Sequence, residues 1–135
     1  MKRLLSTKYT PLAFNAAMLI LRLGMGLLMI PHGYDKLIHF STYKKDFMNF
    51  LGLGGGISLG LVVFSEFFCS IFIMIGLVTR LMVIPLIIEM FVVVFKAHHG
   101  EIFGEGEHGM LFIFGFMVIL LCGPGKASVD GIAGK

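Results

Sequence analysis

The chain has 135 residues, of which 57% are hydrophobic and only 14% are charged, and its mean hydropathy is +0.93. A soluble domain carries about 25% charged residues and, at this size, leaves much of its surface in water, so the composition excludes an ordinary soluble protein and indicates contact with a lipid bilayer. The net charge is +3, and the basic residues do not form a stripe, which argues against nucleic-acid binding.

Four apolar segments predict an all-α fold, a polytopic membrane four-helix bundle that forms a single domain over residues 1–135. The predicted spans are 14–31, 57–78, 81–97 and 107–122. A helix needs about 20 residues to cross about 30 Å of hydrocarbon, so the fourth segment spans only if Glu107 and His108 belong to its outer turn. A re-entrant fourth segment is the alternative.

The first span follows a short basic stretch and is interrupted by Arg22, with no small-x-small cleavage site after it. It is therefore predicted to be a retained helix and not a signal peptide. Pro31 and Gly33 predict the end of this helix, since both residue types interrupt helical patterns.

The loop after the first span contains apolar residues at helical spacing, which predicts a short amphipathic helix on the outer membrane surface or over the bundle. The apolar residues are Phe40, Tyr43, Phe47, Phe50 and Leu51, and the polar residues opposite them are Lys44, Lys45 and Asn49. A loop helix packed on its own protein would show the same pattern.

Small residues and turns predict how the later spans begin and end. Gly56 and Gly60 have the spacing that allows close contact between helices in lipid. Thr79-Arg80 predicts a tight hairpin between the second and third spans, and Gly123-Pro124-Gly125 predicts the end of the fourth.

The distribution of Lys and Arg predicts a multi-pass protein of the cytoplasmic (inner) membrane with both termini in the cytoplasm. With that orientation the inner segments carry six basic residues and the outer loops carry four. The excess lies in the direction of the positive-inside rule.

Three ionisable residues, Arg22, Glu66 and Glu89, interrupt the spans. At a rise of 1.5 Å per residue, Arg22 and Glu89 lie about 12 Å from the inner ends of their helices and Glu66 about 16 Å, so we expect the three to meet at one depth. An arginine can bind two carboxylates, and charges inside a membrane indicate function by default. We expect a proton path or the floor of a ligand cavity; a network that only fixes helix packing is the alternative.

All five histidines fall at or beyond the outer ends of the predicted spans; they are His32, His39, His98, His99 and His108. Imidazoles beside carboxylates can bind a divalent metal, transfer protons or hydrogen-bond a quinone carbonyl. A metal at His98, His99 and His108 is one hypothesis, although adjacent histidines on a helix point in different directions. A solvated loop with glycine hinges explains the segment without a ligand.

An ordered set of residues across the four spans resembles the DoxX family of small four-helix membrane proteins. The set is Arg22, His32-Gly33 with Lys36, Glu66, Gly76-Leu77-x-Thr79-Arg80, Glu107, Gly123-Pro124-Gly125, Ser128 and Asp130. The family takes its name from a subunit associated with archaeal thiosulfate:quinone oxidoreductase and terminal oxidase, and bacterial relatives are tied to redox defence and to partner proteins. The resemblance implies a quinone-linked or redox-accessory role at the membrane.

The leading functional hypothesis is a redox-accessory subunit that binds a quinone or similar lipophilic ligand, without an assigned catalytic residue. The predicted floor is Arg22, Glu66 and Glu89, and the predicted outer mouth is His32, Lys36, Glu107 and His108. The sequence contains no cofactor motif, so a partner redox protein would supply the electrons. The alternatives are a non-enzymatic scaffold or assembly partner of a redox complex, and a small transporter, which at this length would require a homo-oligomer.

Overall fold

The computed structural model describes residues 1–49, 51–97, 99–104 and 106–134, and this part of the chain is helical, without a β-strand. Its six helices are α1 (Pro11–Ile38), α2 (Phe40–Tyr43), α3 (Gly55–Ile75), α4 (Thr79–Val92, continued by a π-helical turn, Val93–Ala97), α5 (Glu107–Cys122) and α6 (Val129–Ile132). The all-α fold class predicted from the sequence is confirmed.

Helix α1 is longer than predicted because it does not stop at Pro31. Thr10 caps its start, where the side-chain oxygen accepts a hydrogen bond from the amide three residues later at 3.1 Å. Pro31 removes only one intrahelical hydrogen bond, and the following turn packs through Gly33 against α3. The helix therefore continues to Ile38, which makes Lys36 a helical residue and not a loop residue.

Helices α1 and α3 come into close contact at two glycines of α1. A Cβ atom at Gly33 would lie 2.6 Å from the amide nitrogen of Phe67, and one at Gly26 would lie 2.2 Å from a side-chain atom of α3. A larger residue at either position would push the helices apart. Gly56 and Gly60 have no atom within 4 Å of their Cβ positions, so the prediction of close contact there is wrong for the described residues.

The helices form a bundle with two distinct ends. One end, called the inner end after the predicted orientation, carries the N-terminal segment, the segment that follows α5 and the link between α3 and α4; the other, called the outer end, carries the loops that join α1 to α3 and α4 to α5. Between the ends, apolar side chains of α1, α3, α4 and α5 form the core. Its fully buried members include Met29, Ile73, Leu86, Val94, Phe116 and Ile119.

The exposed surface of the bundle is apolar, whereas several charged residues are buried. Ile20 is 71% exposed and Leu28 is 64% exposed, but Arg22 is only 1% exposed and Glu89 only 8%. This distribution is the reverse of that in a water-soluble protein. Helices α1 and α3 are long and apolar enough to cross a membrane, while α5 is apolar but contains 16 residues.

The amphipathic helix predicted between the first two spans is reduced to a single turn. Helix α2 contains four residues, and the chain after it forms a turn followed by an irregular segment. Phe47 and Met48 in that segment are half-buried because they pack over the cavity described below, and this packing outweighs the helical spacing. Phe50, which was part of the prediction, lies outside the described residues.

Candidate functional site

A cavity of about 720 Å³ lies between α1, α3, α4 and α5 in the outer half of the bundle. Most of its lining is apolar, as is typical of small-molecule sites. Five of the seven residues predicted as a ligand or proton site line this cavity: His32, Lys36, Glu66, Glu89 and His108. Arg22 and Glu107 do not.

Lys36 and Glu66 form an ion pair at the base of the cavity. Lys36 Nζ donates a hydrogen bond to Glu66 Oε2 at 2.7 Å and lies 3.4 Å from the carbonyl oxygen of His32. Side chains of a helix point towards its N-terminus, so Lys36, near the outer end of α1, extends inward along the helix to reach Glu66. The ammonium group therefore neutralises one buried carboxylate.

Glu89 brings a second carboxyl group to the same place from α4. It is buried, and it lies close enough to Glu66 for hydrogen bonding and electrostatic interaction between the two carboxyl groups. Within the described part of the chain, no donor group bonds to either carboxylate oxygen of Glu89. A buried carboxyl group without a donor is unfavourable, so the arrangement favours a proton shared between the two acids or a ligand that brings a donor.

The cavity also contains polar residues that the sequence analysis missed. Ser58 and Ser65 line it, and each hydroxyl donates to the carbonyl oxygen four residues earlier, at 2.6 and 3.0 Å. Glu66 lies in a π-helical turn of α3, Phe64–Cys69, and such turns occur frequently at functional sites. Serines seven residues apart, with the second adjacent to a glutamate, were the sequence signal that could have identified this polar face.

Two histidines and two apolar residues form the mouth of the cavity. His32 on α1 and His108 on α5 line it from two different helices and are exposed to solvent, while Phe47 and Met48 line it from the loop. Glu107 is exposed and lies outside the cavity lining, because successive residues of a helix point about 100° apart. The structure therefore does not include Glu107 in the cavity lining, and its predicted place at the mouth stays a prediction.

A hydrogen-bonded group beside the mouth joins α2 to the end of α1. Asp35 Oδ1 lies 3.1 Å from His39 Nδ1, and the Tyr43 hydroxyl donates to Asp35 Oδ2 at 3.0 Å. The hydrogen bond and the negative charge of Asp35 both raise the pKa of the Tyr43 phenol, because they favour its protonated form. These contacts fix the start of the segment that covers the cavity.

Arg22 lies away from the two glutamates, so the prediction that all three meet is wrong. Its guanidinium is buried and donates hydrogen bonds to the carbonyl oxygens of Ile73 (3.2 Å), Met74 (3.0 Å) and Ala127. The side chain points towards the N-terminus of α1, which lies at the inner end. It therefore contacts α3 at residues that lie about 12 Å along the helix from Glu66.

Asp130 completes a second polar cluster, the inner clasp, which consists of Arg22, Gly76, Thr79 and Asp130. The Asp130 carboxylate accepts hydrogen bonds from the amides of Val78 and Thr79, both at 2.9 Å, and from the Thr79 hydroxyl at 3.1 Å. The Asp130 amide donates to the Gly76 carbonyl at 2.9 Å. The carboxylate thus caps the start of α4 and holds the C-terminal segment against the link between α3 and α4.

Residues 17–99, which include most of α1 and all of α3 and α4, match the DoxX family model, and they make up more than half of the chain. The chain belongs to the DoxX family. The match includes the Lys36, Glu66 and Glu89 positions of the cavity and ends before α5 and the C-terminal part of the inner clasp. Neither a curated protein nor a solved structure matches the chain.

Membership of the DoxX family makes this a membrane-associated protein, in agreement with its apolar exposed surface. The described residues of this DoxX protein contain no group of three or more His, Cys, Asp or Glu side chains placed to hold a metal ion. His99 is exposed, His108 lines the cavity, and His98 lies outside the described residues. The metal site at these three histidines stays a prediction.

Proposed function

We propose that this DoxX protein is a redox-accessory subunit of the inner membrane that binds a quinone in the cavity and works with a partner oxidoreductase. One observation carries the proposal: the Glu89 carboxyl group is buried without a donor, beside the Lys36–Glu66 ion pair, at the base of a largely apolar cavity. Such a site favours an apolar molecule with a few polar atoms at one end.

The proposed arrangement in the membrane has four spanning segments: α1, α3, α4 with its π turn, and α5. Helices α1 and α3 have the required length and hydropathy, and α4 adds a five-residue π turn to its own 14 residues. The exposed apolar side chains would contact lipid, and the inner end would face the cytoplasm because it carries the larger number of basic residues.

The polar groups at the base can bind both the oxidised form of the ligand, the quinone, and the reduced form, the quinol. The Lys36 ammonium group has three N–H donors, of which one is bonded to Glu66 and one to the His32 carbonyl oxygen, so the third can bind a quinone carbonyl oxygen. Glu89 offers an acceptor for the hydroxyl group of the reduced form. The cavity volume of about 720 Å³ lies within the range of about 300–1,000 Å³ that is typical of ligand pockets.

The electrons and the protons for reduction of the quinone would come from different sources. Conversion of a quinone to a quinol takes up two electrons and two protons. The partner redox protein supplies the electrons, the Glu66–Glu89 pair exchanges protons with the ligand, and His32 and His108 at the mouth exchange protons with the outer solvent. The protein itself provides binding, orientation and proton transfer.

The test is binding of a short-chain quinone, its quinol and the dimethyl ether of that quinol to purified protein in lipid nanodiscs, measured by calorimetry. We expect saturable binding of the quinone and the quinol, with the quinol at least about tenfold tighter than its ether, because the ether cannot donate to Glu89. Native quinone should also be recovered by solvent extraction of gently purified protein.

Absence of saturable binding together with absence of extracted quinone would contradict the proposal. If such a protein still co-purified with a redox complex, the scaffold alternative would replace it. Under that alternative, Glu66→Gln would lower the recovery of the partner complex without changing any ligand affinity.

A further inference from the structure

We infer that the inner end of the bundle binds the headgroup of an anionic phospholipid in a groove between Arg80 and Lys126. The groove has a volume of about 830 Å³ and is formed by the start of α1, the start of α4 and the segment that follows α5. It shares no lining residue with the quinone cavity. The inference rests on the proposed arrangement of the spans in the membrane but not on quinone binding.

Arg80 and Lys126 present charges that are not neutralised within the described part of the chain. Both side chains are exposed, and neither takes part in an ion pair there. Arg80 Nη2 donates to the carbonyl oxygen of Leu121 at 3.3 Å, and the guanidinium lies over Gly123 after the end of α5. This contact uses one of the five N–H donors of the arginine, so the others remain available for a phosphate oxygen.

The lining of the groove contains two basic residues, Arg80 and Lys126, against one acidic residue, which makes it complementary to an anion. The basic residues of the inner end include Lys2, Arg3, Lys8, Arg80 and Lys126. The acidic residue that lines the groove is Asp130, whose carboxylate already accepts three hydrogen bonds from the start of α4. The negative charge of Asp130 is therefore stabilised within the inner clasp by these three hydrogen bonds.

Apolar side chains beside these cations distinguish a lipid from a free anion. Phe14, Val78 and Leu81 line the groove, and Val78 and Leu81 are 40% and 57% exposed. A phospholipid can place its phosphate between the cations and its acyl chains on these residues and along the apolar surface of the bundle. An inorganic anion would use only the charges, so the combination favours an anionic phospholipid.

The experiment compares phosphatidylglycerol and phosphatidylcholine with identical acyl chains, each titrated into the detergent-purified full-length protein and followed by native mass spectrometry. We expect phosphatidylglycerol to bind at least tenfold more tightly. The double variant Arg80→Gln/Lys126→Gln should lose about 30-fold in affinity for phosphatidylglycerol, which corresponds to about 1 kcal/mol for each basic residue.

The matched control is Lys44→Gln/Lys45→Gln, which removes the same charge from the exposed loop at the outer end and should leave the affinity unchanged. Equal binding of the two lipids by the unmodified protein would overturn the inference, and so would an equal loss in the control. Binding of inorganic phosphate as tight as that of phosphatidylglycerol would show a simple anion site and would also overturn it. If the double variant fails to fold, the difference in affinity between phosphatidylglycerol and phosphatidylcholine for the unmodified protein tests the inference.

Discussion

The two buried polar clusters of this DoxX protein differ in how their hydrogen-bonding groups are satisfied. In the inner clasp, the terminal nitrogens of Arg22 donate to three carbonyl oxygens and the Asp130 carboxylate accepts three hydrogen bonds; within the described residues only Arg22 Nε lacks a partner. In the cavity, the Lys36–Glu66 pair leaves both oxygens of Glu89 without a donor. The comparison teaches that burial of a charge does not by itself indicate a binding site. An incomplete set of partners beside a cavity is the stronger signal.

Removal of the arginine side chain should have the largest effect on stability. Arg22→Met leaves the buried carbonyl oxygens of the clasp without donors, so we expect the free energy of unfolding to fall by about 3–5 kcal/mol. Unfolding in mixed detergent micelles measures this change. The exposed Arg80 provides the control, since Arg80→Met should change the unfolding free energy by less than about 1 kcal/mol. A stable Arg22→Met protein that had lost quinone binding would reverse the assignment of the two clusters.

A smaller effect is expected where α1 meets α3 beside the cavity. In Gly33→Ala the new methyl group would meet the backbone of α3 at 2.6 Å, so we expect a loss of about 1–3 kcal/mol in unfolding free energy. Gly24→Ala is the matched control on the same helix, because its Cβ position has no atom within 4 Å. Equal effects of the two substitutions on the unfolding midpoint would contradict the close contact of the helices.

The smallest effect on stability, but a clear effect on binding, is expected for Glu89→Gln. The amide removes a buried carboxyl group and can donate to Glu66, so the unfolding free energy should stay within about 1 kcal/mol of the original value. Affinity for the quinol should fall about tenfold, because the amide cannot share a proton with Glu66 and is a weaker acceptor for the quinol hydroxyl group. Glu107→Gln, which changes an exposed carboxylate outside the cavity, should leave that affinity unchanged in the same titration. A strong loss of stability in Glu89→Gln would show that the cavity cluster, like the clasp, serves the fold.

The amino-acid sequence was sufficient to predict the helical fold and most of the polar residues that line the cavity. It failed for Arg22 because depths were estimated from Cα positions. Long side chains extend several ångströms towards the N-terminus of their own helix, so Arg22 reaches the inner end and Lys36 reaches inward to Glu66. Lys36 was therefore expected at the mouth of the cavity, but it forms an ion pair with Glu66 at the base.

Two other differences arise from packing between distant segments, which periodicity in one segment does not reveal. Pro31 normally indicates the end of a helix, but contact through Gly33 keeps α1 intact for seven more residues. The spacing of the apolar residues around Phe47 is typical of an amphipathic helix, yet this residue and Met48 cover the cavity from an irregular segment. The spacing in the sequence indicated that these side chains would be buried, but it did not indicate which part of the protein they would pack against.

The π-helical turn Phe64–Cys69 has a consequence for how one helix can serve both clusters. A π turn accommodates one residue more than the corresponding α-helical segment, so the two halves of α3 are out of phase by about 100°. The outer half directs Ser58 to the cavity, the turn itself places Glu66 there, and the inner half presents the carbonyl oxygens of Ile73 and Met74 to Arg22. An unbroken α-helix of the same composition would align one half correctly and rotate the other away from its partners. The extra residue thus rotates one half of α3 relative to the other, so that the same helix can line the cavity at one end and bind Arg22 at the other.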